Sequence, residues 1–321
     1  MIWFSVLFLI IGISLLAGSS GVVISNILLI SDKRKLRKSV LSFLLVAFST
    51  SLPELFVALN AISIGNMSVS LGDILGSNIT NICLIVGTCA IIHTLNKTNG
   101  KKLTLEKEDI KEFRTGLMIL SVTLLSLLYL QYISRLVGIL LLGIFFGYSY
   151  VLIRKRQEES EDTANGKTNG KIIKESLLLL IGLFGVLAGA RFTLDSAIDI
   201  ATFFGVPASL IGATLVAFGT SLPEFVTDAR ASYRGHMEIT LGDIIGSCFL
   251  NSTLILGLLL TFTPFGVNLL VLSDLILFSV VSNLLLWFFI DNGKIEKREG
   301  FTLLILYCVN LLIAFGILVI K

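Results

Sequence analysis

The sequence that decides the fold occurs twice: it reads LVAFSTSLPE at residues 45–54 and LVAFGTSLPE at residues 215–224. The match continues without a gap, at a constant offset of 170, so that residues 45–87 align with residues 215–257. About half of these 43 positions are identical. Both copies keep a proline followed by a glutamate inside an apolar stretch, and agreement at such positions indicates an internal duplication.

The composition around the duplicated segments is that of a membrane protein. The chain has 321 residues, of which 55% are hydrophobic and 15% are charged. An average soluble domain carries about 25% charged residues, so this chain has too little polar surface to remain in solution. The composition excludes an ordinary soluble enzyme, a disordered chain and a nucleic-acid binder. It predicts a polytopic membrane protein with the lipid bilayer as its surroundings.

Outward from the two copies, ten apolar stretches are long enough to cross a bilayer, which takes about 20 residues in a helix. They lie at residues 2–28, 39–62, 68–93, 115–131, 134–153, 175–199, 207–230, 238–262, 267–290 and 301–320. The fourth and fifth stretches are nearly continuous and predict a tight hairpin. We therefore expect an all-α polytopic fold with ten transmembrane helices.

The basic residues predict how these helices are oriented. Of the 25 lysines and arginines, 22 lie in the five connections on one side of a ten-helix arrangement. Only Arg135 and Lys321 lie on the other side, and Arg191 lies within a helix. Because basic loops favour the cytoplasm, we expect both termini outside the cell. No organelle presequence is recognisable, so the expected location is the cell (plasma) membrane.

The position of the two copies predicts an inverted repeat. The first copy occupies helices two and three and the second occupies helices seven and eight, so five helices separate equivalent elements. Because five is odd, the copies enter the membrane from opposite sides, as in many secondary transporters. We expect a first five-helix repeat at 1–153, a flexible cytoplasmic linker at 154–174, and a second five-helix repeat at 175–321.

Each copy carries a glutamate, Glu54 or Glu224, within a predicted span. A carboxylate at that depth costs several kcal/mol unless it is paired or neutralised. Arg191 is the one basic residue predicted within a span, and it cannot serve both glutamates. Bound cations are therefore the expected partners, although two protonated glutamates are an alternative.

Oxygen-bearing side chains surround each glutamate at helical spacing. Hydroxyls at positions i and i+1 precede a glutamate at i+4, which places them on one helix face. These residues are Thr50, Ser51 and Glu54 in the first copy, and Thr220, Ser221 and Glu224 in the second. Pro53 and Pro223 have no N–H, so each is expected to interrupt its helix and free carbonyl oxygens near residues 47–50 and 217–220.

The following helix of each copy adds further oxygens every fourth residue. The residues are Asp73, Ser77 and Asn81 in the first copy, and Asp243, Ser247 and Asn251 in the second. Carboxylate, hydroxyl, amide and carbonyl oxygens suit a hard cation such as calcium, sodium or magnesium. Two buried negative charges can balance one divalent ion or several monovalent ions but not both sets, which is the physical basis for exchange.

These paired segments resemble the two alpha-repeats of the cation/calcium exchanger superfamily, and the chain is similar to its prokaryotic sodium/calcium exchangers. The resemblance implies that Glu54 and Glu224 bind both ions and that carbonyls of Thr50 and Thr220 bind calcium. It also implies that the sodium sites are completed by Ser51, Ser221, Ser77, Ser247, Asn81 and Asn251, and by the carbonyls of Ala47 and Ala217. Helices one and six would slide across this core to alternate access.

Three features depart from the pattern of that superfamily. The first copy has Ser49 where glycine is common, and Asn251 stands where potassium-dependent relatives carry an aspartate. Asp73 and Asp243 stand where relatives more often have asparagine, and they are predicted either to line the ion path or to favour a helix N-terminus. Other acids, Asp195, Asp199 and Asp228, are expected at the rim or in pairs, with Arg191 and Asp195 forming an i,i+4 pair.

The leading hypothesis is a secondary antiporter that exchanges sodium for calcium by alternating access, with overlapping ion sites at the membrane centre. A proton/calcium exchanger, or one for another divalent cation, is the near alternative, and a cation channel is less favoured. Enzymatic activity is not expected, since neither a nucleophile–base pair nor a phosphate loop is recognisable. We expect no cofactor, and we expect a functional monomer.

Overall fold

A computed structural model describes residues 2–34, 37–64, 67–96, 105–129, 135–162, 172–205, 217–262, 273–293 and 295–314. The regular structure within these ranges is helical throughout. This confirms the all-α expectation for the described part of the chain. The predicted hairpin at residues 131–134 and the first half of the seventh predicted helix lie outside these ranges.

The helices follow one another with short connections. In chain order they are α1 (Ile2–Arg34), α2 (Lys38–Leu41), α3 (Ala47–Thr50), α4 (Leu52–Ile64), α5 (Met67–Ile79), α6 (Gly87–Leu95), α7 (Lys107–Tyr129), α8 (Arg135–Asp162), α9 (Ile173–Phe203), α10 (Ala217–Thr220), α11 (Leu222–Tyr233), α12 (Met237–Leu250), α13 (Leu256–Phe262), α14 (Ser273–Asp291) and α15 (Lys297–Ala314). Three π-helical segments join α2 to α3, α5 to α6 and α12 to α13, at Ser42–Val46, Thr80–Val86 and Asn251–Ile255.

The lengths of these helices are those of a multi-pass membrane protein. Six described helices are long and apolar enough to cross a membrane, and a seventh is added if the bent pair Lys38–Thr50 and Leu52–Ser63 is one span. The number of ten spans stays a prediction. Charges at the start of α7 and of α15 lower the hydropathy of those two helices, and the helix that contains α11 is only partly described.

Three helices extend further into the basic connections than the apolar pattern predicts. Helix α1 ends at Arg34, α7 begins at Lys107, and α8 ends at Asp162. Hydropathy indicates where a helix leaves the bilayer, not where its backbone hydrogen bonds end. Helical residues beyond the bilayer are therefore not predicted from the apolar pattern. The predicted flexible linker at 154–174 is therefore helical up to Asp162 and again from Ile173.

Buried contacts fix the beginning of α7. The Arg37 side chain, which immediately precedes α2, forms an ion pair with Asp109 (Nη1 to Oδ1, 3.0 Å) and a second ion pair with Glu112. The Ser39 hydroxyl also donates to Asp109, which is only 4% exposed. Because acidic residues stabilise a helix N-terminus, this cluster both starts α7 and ties it to the helix that leads into the first copy.

Glycines allow α1 and α9 to pack along much of their lengths. A Cβ atom on Gly12 would lie 2.6 Å from Thr193 Oγ1, and one on Gly189 would lie 2.8 Å from the Leu16 backbone nitrogen. These contacts show that small residues bring the two helices together. Apolar residues of α1 and α9 form a cluster that is separate from the larger core built mainly by α5–α7 and α12–α14 and that also includes Leu41, Val46, Leu222, Ala231 and Ile239.

Candidate cation site

Both copies place one non-helical serine between two helices. Ser51 separates α3 from α4, and Ser221 separates α10 from α11. The axes on either side of Ser51 differ by 43°. Since Pro53 and Pro223 lie two residues beyond these serines and cannot donate a backbone hydrogen bond, the carbonyls of Ser49 and Gly219 lack an i+4 donor. The interruption predicted at each proline is present, and it exposes backbone oxygens at this level.

The two predicted glutamates are buried immediately beyond these breaks. Glu54 is 1% exposed and Glu224 is 0% exposed. The Ser51 hydroxyl donates to Glu224 Oε1 across the two copies at 3.4 Å. Within the described residues, neither carboxylate oxygen of Glu54 has a hydrogen-bond partner, and the same is true of Glu224 Oε2. The two carboxylates are close enough to repel each other, so they require a compensating positive charge.

The amides and hydroxyls of the following helices come from both copies. Asn251 Nδ2 donates to Ser77 Oγ at 3.2 Å and to Asn78 Oδ1 at 3.3 Å. Asn81 is fully buried, and in the part of the chain that is described neither its amide oxygen nor its amide nitrogen has a partner. The same holds for the hydroxyl of Ser247. Cross-repeat contacts of this kind require that the two copies face each other.

The two asparagines lie in matching π-helical segments. Asn81 is the second residue of Thr80–Val86, and Asn251 is the first residue of Asn251–Ile255. A π-helical turn widens the helix locally and releases backbone groups, and such turns are frequent at functional sites. The offset of 170 therefore holds for backbone geometry as well as for residue identity.

The remaining predicted ligands lie beside the breaks. Thr50 is 1% exposed, and its hydroxyl donates to the Val46 carbonyl at 3.0 Å, so its hydroxyl is already used within the helix. The Ala47 carbonyl accepts the Ser51 N–H at 3.1 Å and lies 3.4 Å from the Thr50 hydroxyl. Ala217 begins α10, and Thr220 ends it. The Ser221 hydroxyl has no partner among the described residues.

The equivalent aspartates Asp73 and Asp243 have different environments. Asp73 is partly exposed, and its Oδ1 accepts a 3.4 Å hydrogen bond from the Thr220 hydroxyl. Asp243 is 0% exposed, and neither of its oxygens has a partner in the described ranges. Each is the seventh residue of its helix, and the helix dipole acts mainly on the first turn. The dipole alternative therefore does not explain them.

Packing at the paired glycines also differs between the copies. A Cβ on Gly246 would lie 2.7 Å from the Phe43 carbonyl oxygen, and one on Gly242 would overlap the Ser39 carbonyl. Gly72 and Gly76 occupy the equivalent positions, and a Cβ there meets no atom of a described residue within 4 Å. Among the described residues, close packing at these glycines is therefore seen in the second copy alone. The segment 206–216, equivalent to 36–46, lies outside the described residues.

The structure buries two polar residues that the sequence did not single out as ion ligands. Asn78, which aligns with Cys248 in the repeat, donates through its Nδ2 to Ser252 Oγ at 2.9 Å. Asp228 was expected at the rim or in a pair, and it is 0% exposed. Its position four residues after Glu224 was an available signal, because i and i+4 share a helix face. The other rim acids behave as predicted: Arg191 Nε pairs with Asp195 Oδ2 at 2.8 Å, and Asp199 is exposed.

This arrangement suits a cation bound mainly by uncharged oxygens around two carboxylates. Within the described residues, no group of three His, Cys, Asp or Glu side chains converges to hold a metal ion. Glu54 and Glu224 instead lie among serine hydroxyls, asparagine amides and freed carbonyls. Oxygen ligands of this type fit sodium and calcium. Unpartnered buried polar atoms are costly, so their concentration at one place marks a ligand site.

A cavity lies next to this cluster. It has a volume of about 480 Å³ and is bounded by α4, α9 and α10. Leu52, Phe56, Leu187, Arg191 and Thr220 are among its lining residues. One end of the cavity therefore reaches the break in the second copy.

Comparison with known proteins gives consistent matches. The family model described as "Sodium/calcium exchanger protein" matches residues 4–154 and 174–316. The sodium/calcium exchanger MaX1 of Methanosarcina acetivorans is 30% identical over 99% of this chain and 100% of its own length. An uncharacterized membrane protein of Methanocaldococcus jannaschii is 32% identical over 84% of both chains.

Solved structures of the sodium-calcium exchanger NCX_Mj have a similar fold. One of them, soaked with sodium and strontium, has a TM-score of 0.82 and 26% identity, and it covers 97% of this chain and 98% of that one. The family model covers both copies of the repeat and most of the chain between and around them. From this match and the buried oxygen cluster, we conclude that the chain belongs to the sodium/calcium exchanger family.

Proposed function

We propose that this chain is a secondary antiporter that exchanges sodium for calcium across the membrane. The observation that carries the proposal is the pair of buried, repelling glutamates, Glu54 and Glu224, at equivalent positions of the two copies. A permanent basic partner would neutralise them and leave no place for a transported ion. Three of their four oxygens instead lack partners among the described residues, and Glu224 Oε1 accepts from the uncharged Ser51 hydroxyl, so the charge is available to cargo.

The ion sites are proposed to share these two carboxylates. Calcium binds to them together with the carbonyls of Thr50 and Thr220. Sodium ions bind to the same glutamates with the remaining predicted ligands, which are Ser51, Ser221, Ser77, Ser247, Asn81 and Asn251 and the carbonyls of Ala47 and Ala217. Because both ion sets need Glu54 and Glu224, they exclude each other, and exclusion of this kind couples the two fluxes.

We further propose ten spans in two inverted five-helix repeats, with both termini outside and the basic connections in the cytoplasm. In that orientation α5 starts outside, and the partly exposed Asp73 lies on the external side of Glu54. The buried Asp243 and the tightly packed Gly246 lie on the cytoplasmic side. The chain is therefore open towards the outside and closed towards the cytoplasm.

Alternating access follows from the way α1 and α9 are attached. The two helices pack on each other through glycines, and their apolar cluster, which also includes Leu222 and Ala231 of α11, is separate from the larger core. A pair of helices joined through glycines can move as one body by sliding over the ion-binding helices. We propose that this movement closes the external side and opens the cytoplasmic side, in a single chain within the cell membrane.

MaX1 and NCX_Mj, which this chain resembles, are both sodium/calcium exchangers, and this supports sodium as the exchanged ion. The decisive experiment is calcium-45 uptake into proteoliposomes with sodium, potassium and proton gradients imposed separately. We expect uptake only with an opposing sodium gradient, and we expect Glu54→Gln and Glu224→Gln each to reduce it by at least 100-fold. Uptake driven by protons would favour the proton/calcium alternative, and uptake without any gradient would favour a channel.

A further inference from the structure

The second copy buries a pair of aspartates beside the central site. Asp228 lies on α11, one turn beyond Glu224, and Asp243 lies on α12. Both side chains are 0% exposed, and within the described residues none of their four carboxylate oxygens has a hydrogen-bond partner. The two carboxylates are close enough to repel each other, and each also repels Glu224.

This pair is not a consequence of the internal repeat. At the offset of 170, Asp243 corresponds to Asp73, but Asp228 corresponds to Ala58. Ala58 is fully buried and Asp73 is partly exposed. The first copy therefore has one partly exposed acid, whereas the second has two fully buried acids. Among the described residues, no hydrogen bond reaches the carboxylates of the second pair.

Neutral oxygens surround the two aspartates. Thr227 is fully buried, and its hydroxyl has no partner in the described part of the chain. The Thr240 hydroxyl donates to the backbone carbonyl of Asp228 at 3.1 Å and is 2.9 Å from Ser232 Oγ. Thr50 lies beside Asp243. Two carboxylates among hydroxyls and carbonyls form an oxygen set that suits a hard cation.

We propose that Asp228 and Asp243 bind a second hard metal cation, sodium or calcium, next to the ions held by Glu54 and Glu224. Four helical residues rise about 6 Å, so this site lies one turn from Glu224 towards the Tyr233 end of α11. A buried carboxylate without a counter-ion costs several kcal/mol, and this pair doubles that cost. A bound cation removes it. That the ion is a transported one rests on the proposed function.

The test is equilibrium binding of calcium-45, and separately of sodium-22, to the purified full chain in detergent. The Glu54→Gln/Glu224→Gln variant inactivates the central site. We expect it to retain about one bound ion per chain, and the added Asp228→Asn/Asp243→Asn changes should weaken that binding at least ten-fold. The matched control adds Asp199→Asn, at an exposed residue, to the same background and should leave the remaining ion in place. The ion that binds identifies the cargo of the second site.

Two results would overturn the inference: no ion bound by the double glutamine variant, or equal binding with and without the aspartates. If the fourfold variant does not fold, Asp228→Asn alone should lower the ion count of the otherwise unchanged chain by one, whereas Asp199→Asn should not. An unchanged count in Asp228→Asn also overturns the proposal. Proteoliposome flux tests the exchange function separately, so either proposal can fail without the other.

Discussion

Gly76 and Gly246 are identical in the two copies of the repeat, yet an alanine at each is expected to have opposite effects on stability. At Gly246 the added Cβ would lie 2.7 Å from the Phe43 carbonyl oxygen and 2.8 Å from the Ala47 Cβ. Both distances are shorter than van der Waals contact, and neither neighbour is a flexible side-chain end. At Gly76 the added Cβ meets no atom within 4 Å among the described residues.

The magnitudes follow from two opposing effects. Overpacking costs about 1–3 kcal/mol, and a rigid backbone neighbour places Gly246→Ala at the upper end. Alanine is favoured over glycine inside a helix by about 1 kcal/mol. Gly246→Ala should therefore destabilise the chain by about 2 kcal/mol, whereas Gly76→Ala should stabilise it by about 1 kcal/mol.

Thermal unfolding in detergent, followed by the fluorescence of Trp3 and Trp287, measures both variants. At about 2–4 °C per kcal/mol, the Tm of Gly246→Ala should fall and that of Gly76→Ala should rise, with several degrees between them. Gly246→Ala should also weaken sodium binding, because the new methyl group pushes against Ala47. Shifts of the same sign and similar size in both variants would refute the packing difference between the copies.

Three further outcomes are expected. First, cysteines introduced at Ser25 and Arg234 and joined by a short thiol cross-linker should block calcium-45 flux, provided that the chain has no other exposed cysteine. Arg234 Nη1 donates to Ser25 Oγ at 2.8 Å, so this cross-link would tie α1 to the helices that are proposed to stay fixed. As the control, a cross-link between positions 5 and 199, where Ser5 donates to Asp199 within the α1–α9 pair, should leave flux intact. Asn251→Asp should lower the Tm, because an ionised aspartate cannot donate the two cross-repeat hydrogen bonds of the Asn251 amide, each worth about 1 kcal/mol. Removing calcium with a chelator and replacing sodium by choline should lower the Tm. The stabilisation that is lost grows with the ion concentration used before removal and is about 2.7 kcal/mol at 100 times the Kd. A variant that lacks both central glutamates should lose most of this Tm shift.

The internal repeat allowed much of the site to be predicted without coordinates. A proline followed by a glutamate in two apolar segments is enough to predict both helix breaks, because proline removes a hydrogen bond wherever it lies in a helix. Burial of Glu54 and Glu224 was predictable for a related reason: their neighbours in sequence are apolar over a span's length. These inferences depend on local chemistry and on the duplication alone.

Contacts between the copies were less accessible to prediction. The hydrogen bond from Ser51 to Glu224 and those from Asn251 to Ser77 and Asn78 join residues more than 170 positions apart. Spacing along one helix indicates which side chains share a face, but not which face of another helix they meet. Asn78 was therefore passed over, although it lies among the predicted ligands.

By itself, the sequence determined that this is a helical membrane protein with a duplicated, oxygen-rich acidic centre, because hydropathy, charge bias and proline chemistry act locally. Only the tertiary structure decided that the two copies are unequal. It leaves Asp73 partly exposed and buries Asp243, and it also buries Asp228, which the sequence suggested lies at the rim or in a pair. Identical residues acquired different surroundings because each packs against elements that are distant in sequence, as Gly246 does against Phe43.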